Sequence, residues 1–101
     1  MSAPSIIQDS SIKRCFITKK WCGDNGEPLE KHHVMNGALR DWADAEGLWI
    51  WVTPQIHKTM HDTQVGVYLQ RELKVIAQYA YERQHTHEEW MAKVRKSYVE
   101  R

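Results

Sequence analysis

Glu30-Lys31-His32-His33-Val34 and His57-Lys58-Thr59-Met60-His61 flank the run Leu48-Trp49-Ile50-Trp51-Val52-Thr53-Pro54, and four of the chain's six histidines lie in the two outer blocks. Leu29 to Val34 reads as a short strand. Neighbours on a strand point to opposite faces, so His32 and His33 cannot easily do the same job. Leu48 to Val52 reads as a second strand, made of large apolar residues. Thr53-Pro54 is a helix start: a hydroxyl cap, then proline at the first helical position. On the helix that follows, His57 and His61 are four apart. That spacing puts both rings on one face, a turn apart, where they can share one ion.

Between the strands, Asn36-Gly37 opens a helix with Asn36 as its candidate cap. Leu39, Trp42 and Ala43 are spaced to face a core, and Gly47 stands where a C-terminal glycine cap belongs. Together these pieces make a β-loop-β-α unit over residues 29–61.

Outward from this unit, residues 1–11 are polar, with Pro4 and four serines, and read as a loose end. Ile12 to Thr18 has the composition of a short strand, and Gly23-Asp24-Asn25-Gly26 is a turn signal. Asp62-Thr63 offers a second helix start. Val65, Leu69, Leu73, Ile76 and Ala80 then form an apolar stripe that predicts a long amphipathic helix to about Arg83. His85-Thr86-His87 breaks it, and Thr86 with Glu89 fits a capping box. Trp90, Val94 and Tyr98 mark one face of a final short helix. The segment 64–101 is therefore a helical brace, and the whole chain of 101 residues reads as one α+β domain.

Composition bounds the function. Fourteen Lys and Arg against thirteen Asp and Glu give a formal net charge of +1, so any nucleic-acid surface has to be a local basic rim. Lys31, Arg40 and Lys58 lie nearest the histidines and are the candidates for meeting phosphate, with solvated surface as the default. Lys93, Arg95 and Lys96 form a small basic cluster read as a solvated face, with backbone contacts as the alternative. No signal segment or apolar run of membrane-spanning length is evident. Cys15 and Cys22 make no disulfide framework, which suits a reduced, cytoplasmic protein. Trp49 and Trp51 read as core, and His85 and His87 as linker residues.

Neutral imidazole is a good ligand for zinc, nickel and similar ions, and the block His57 to His61 lacks the glutamate of a zinc protease helix. The order of the three blocks resembles the HNH, or ββα-metal (His-Me finger), nucleases. The adjacent histidines and the His-x3-His helix look most like the nuclease colicins, and the wording around His32-His33 and Gly47-Leu48-Trp49 is similar to small phage-encoded HNH proteins. The resemblance covers about 30 residues by motif. It implies a small ββα-metal core with a long C-terminal helix and a short terminal one. It also implies a metal-dependent endonuclease acting on DNA, double-stranded more than single, in a bacterial or phage-infected cytoplasm. His33 matches the general base, and His32, His57 and His61 match the metal positions. One divalent ion is implied, and an all-histidine set favours Zn, Ni, Co or Mn over Mg, which prefers oxygen. Two departures stand out. Leu48 falls where the family's middle asparagine ties down the base-bearing loop, and with two cysteines there is no four-cysteine structural zinc. A rival reading is a module that keeps the fold, binds nucleic acid or protein, and has lost efficient cleavage.

Overall fold

The computed structural model describes residues 3–21 and 28–99. It is a small mixed α+β domain with one two-stranded antiparallel sheet and four helices. Strand β1 (Glu30–His33) pairs with β2 (Trp49–Val52) in the register Glu30↔Val52 and His33↔Trp49. The connection is a short 3-10 turn (Gly37–Leu39) and helix α1 (Arg40–Glu46). Helix α2 (Pro54–Asp62) leaves β2 directly, α3 (Gln64–Glu82) follows, and α4 (His87–Val94) closes the order. This agrees with a ββα arrangement of strands and helix. Among the described residues, no helix is long and apolar enough to cross a membrane.

Local chemistry explains the boundaries. Gly47 takes a left-handed φ of 77°, which ends α1, and a Cβ there would lie 2.2 Å from the Pro4 carbonyl oxygen. The Thr53 hydroxyl accepts from the Ile56 N–H and Pro54 starts α2. Thr63 ends α2 and caps α3 by accepting from Gly66 N–H. The Thr86–Glu89 capping box opens α4. The core between sheet and helices contains Leu48, Ile50, Val52, Met60, Leu73 and Trp90, all almost wholly buried. Trp90 also meets Trp42 and Tyr81, with ring centroids 6.0 and 5.6 Å away.

Four expectations change. The strand over Ile12 to Thr18 does not form. The backbone reverses tightly instead, with Lys19 at φ 67°, Cys15 N–H donating to the Lys20 carbonyl, and an isolated bridge between Arg14 and Trp21. The stripe on α3 is rotated: Leu73 and Ala80 are buried and Leu69 is packed against the core, but Val65 is 65% exposed and Ile76 38%. Gly66 causes the rotation. A Cβ on it would lie 2.1 Å from the Thr59 carbonyl oxygen, so bare backbone faces α2 there and the neighbouring Val65 points away. Ala77 and Tyr81 complete the true face.

The last helix stops at Val94, where Arg95 adopts φ 66°, so Tyr98 lies beyond it. Finally, residues 3–11 have no helix or strand but are not loose. Ser5 Oγ donates to the Trp49 carbonyl at 2.6 Å, Gln8 Oε1 accepts from Trp51 N–H at 2.7 Å, and the two indoles donate to the carbonyls of Ala3 and Ser10. The turn signal at Gly23 to Gly26, with Cys22, lies outside the described residues.

Candidate metal centre

Strand pleating divides the two adjacent histidines, as their sequence requires. His32 turns inward towards α2 and is 2% exposed. His57 and His61 come to meet it from one face of α2, whose start is fixed by the Thr53 cap and by His57 N–H bonded to the Thr53 carbonyl. The ring centroids stand 5.3 Å (His32–His57), 5.9 Å (His32–His61) and 5.1 Å (His57–His61) apart. One nitrogen from each ring lies within 4.8 Å of the other two.

His32 is the telling member. Its Nε2 is buried and has no hydrogen-bond partner. An unsatisfied buried nitrogen costs roughly 1–3 kcal/mol, so its retention calls for a reason. Burial pushes the ring's pKa down from 6.5 to about 4, helped by the nearby positive charge that His57, His61, His33 and Lys74 can carry. His32 is thus neutral near neutral pH, the form that can give a lone pair to an ion. His57 Nδ1 lies 3.0 Å from Glu30 Oε1, which orients the ring and leaves Nε2 for the cluster. His61 is exposed on the outer side. Three imidazoles placed in this way could hold one metal ion through their ring nitrogens.

His33 faces the other way, and its Nε2 lies 2.7 Å from Asp44 Oδ1 on α1. A carboxylate acceptor requires that Nε2 carry the proton, so in the neutral ring Nδ1 holds the lone pair. His32, His33, His57 and His61 nevertheless line one small cleft of about 170 Å³, together with Lys31, Asn36 and Arg40. Lys31 lies 3.4 Å from the same Asp44 oxygen and 4.2 Å over the Trp49 ring, so it is partly engaged within the fold. Arg40 lines the cleft and is exposed. Lys58 is exposed on α2 and does not line it.

Asp44 escaped the sequence reading, whereas Asn36 was expected as a helix cap. Asn36 caps the 3-10 turn by position alone; its side chain makes no cap hydrogen bond. Asp44 sits four residues after Arg40, one helical turn along, and that spacing was the available signal. Leu48 is wholly buried in the core, and its backbone carbonyl accepts from Val34 N–H at 3.1 Å. It therefore pins the chain just after His33 without a polar side chain. His85 is not a bare linker residue: it stacks on Tyr81 with ring centroids 4.2 Å apart.

No family model, curated protein or solved structure matches this chain.

Proposed function

We propose that this protein is a metal-dependent endonuclease of the HNH (ββα-metal) kind, hydrolysing phosphodiester bonds of DNA, double-stranded more readily than single. The observation that carries the reading is the pairing of a three-histidine cluster, its ring nitrogens within 4.8 Å, with a fourth histidine that lines the same cleft from the opposite strand face. His32, His57 and His61 would hold one divalent ion. When bound, the ion supplies Lewis-acid chemistry, polarising the phosphate and stabilising the departing 3′-oxygen.

The remaining work belongs to the chain's own groups. His33 takes the proton of the attacking water at Nδ1, and Asp44 holds the imidazole in that tautomer and steadies the positive charge the ring gains. Glu30 keeps His57 turned into the cluster. Arg40 and Lys31 at the cleft, with Lys58 further along α2, contact the DNA backbone. A reducing cytoplasmic setting belongs to this reading.

Nicking of supercoiled plasmid by chelator-stripped protein, re-supplied with each ion in turn, tests it. Cleavage that His33→Ala abolishes while metal affinity stays supports the assignment. Cleavage that survives His33→Ala overturns it. The burial of Leu48 and the net charge of +1 favour a second reading, a fold-keeping module that binds DNA or a protein without cutting. Duplex binding by a wild type that cuts with no ion would select that reading.

A further inference from the structure

The C-terminal segment folds back on α3 and borders a half-open cavity of about 500 Å³. Three cations line it: Arg71 and Lys74 from α3, and Lys96 from the returning chain. Among the described residues, no carboxylate forms an ion pair with any of them. Lys74 is only partly exposed, and burial together with Lys96 lowers its pKa. Cations gathered in this way repel one another unless an anion joins them.

The wall carrying Lys96 is built rather than draped. Arg95 takes the left-handed conformation that turns the chain out of α4, a sparsely populated choice for a residue with a side chain. Gln78, wholly buried on α3, then accepts from Tyr98 N–H at 2.7 Å and donates to Ser97 Oγ at 3.1 Å. Trp90 Nε1 donates to the Lys96 carbonyl at 2.9 Å. Buried polar groups satisfied on both sides hold a segment in one place, so the opening between Lys96 and Arg71 is preformed.

We propose that this cavity is an anion site for a phosphate group, with Arg71, Lys74 and Lys96 as its ligands. The Arg71 guanidinium offers paired N–H donors that suit phosphate oxygens, and the two ammonium groups add point charge. The phosphate can belong to a DNA backbone or to a free nucleotide, and both share this chemistry. The site shares no lining residue with the histidine cleft, although Lys74 is near enough to act on the charge of His32, and phosphate binding here does not require that the cleft cut DNA.

Chelator-stripped protein keeps metal chemistry out of the test. Binding of inorganic phosphate, of thymidine 5′-monophosphate and of a short duplex is measured by calorimetry and fluorescence anisotropy. The chains compared are wild type, Arg71→Gln, Lys96→Gln and the double variant. Both substitutions are at exposed positions, and circular dichroism checks that the fold is kept. Loss of one charge-assisted contact should weaken binding by about tenfold or more. If the phosphate is a free one, phosphate and the mononucleotide bind to wild type and lose affinity in the variants. If it is a DNA backbone, only duplex binding falls, with a salt slope reduced by about one per cation removed. Unchanged affinities for all three probes in the folded double variant would overturn the site, as would failure of all three to bind wild type.

Discussion

The Nε2 of His33 lies 2.7 Å from Oδ1 of Asp44, and this contact selects the tautomer whose lone pair, in the neutral ring, is on Nδ1. The two residues come from different elements, β1 and α1, so their meeting depends on the turn and helix between the strands. Asp44→Ala frees the imidazole to rotate and change tautomer. We expect cleavage to fall by about 10–100-fold while metal affinity stays, in line with other supporting groups at such sites. Asp44→Asn should fall between wild type and alanine, because an amide oxygen still accepts but carries no charge. Single-turnover cleavage with a parallel metal titration checks this; an alanine variant as active as wild type removes Asp44 from the mechanism.

Metal binding should separate the four histidines. Calorimetry of stripped protein should show one site per chain for zinc, nickel, cobalt or manganese. His57→Ala should lose both metal and cleavage, and His33→Ala only cleavage. No heat and no rise in melting temperature with any of these ions would refute the metal centre.

His32 gives metal-free protein a pH dependence. Its folded pKa of about 4 lies below the ordinary 6.5. Between those values the unfolded chain binds more protons than the folded one, so stability is full above about 6.5 and declines as pH falls towards about 4. His32→Leu should flatten that decline, remove metal binding and stabilise the stripped protein, because it takes away a buried nitrogen with no partner. Denaturant titrations of both chains across this range, in the presence of chelator, provide the measurement. Parallel pH profiles would place the slope on another group.

Two positions test the packing of α3. Leu73 is 2% exposed, and Leu73→Ala should cost on the order of 2–5 kcal/mol. Gly66→Ala forces a methyl to within 2.1 Å of the Thr59 carbonyl oxygen, so α2 and α3 must move apart. A loss of at least about 1–3 kcal/mol is expected. It should come with weaker metal binding, since His61 rides on α2. A denaturation midpoint unchanged by either substitution would place that residue away from the interface described.

The sequence carried the elements well where punctuation is local. Thr53-Pro54, Gly47 and the Thr86–Glu89 box each act within one turn of chain, and each ended or began a helix where expected. The meeting of His32 with His57 and His61 was legible for a related reason: strand alternation and the helical repeat fix which side chains share a face. What failed was set by distant partners. The rotation of α3 depends on a backbone contact between Gly66 and Thr59, which no apolar periodicity records. Asp44 acquires its role only when α1 lies beside β1. The serines that suggested a loose N-terminus are in part hydrogen-bonding groups for β2, and their targets lie more than forty residues away in the chain.

That last arrangement bears on self-association. Trp49 and Trp51 turn backbone groups away from β1, and in a two-stranded sheet these would be an open template for a strand from another molecule. Ser5 and Gln8 occupy them with side chains, and Phe16 N–H bonds to the Trp51 carbonyl at 2.8 Å. Side-chain groups end a ladder where a strand would extend it. Residues 5–16 thus cover this edge of β2, and a chain trimmed of them should lay the edge open to strand pairing between copies.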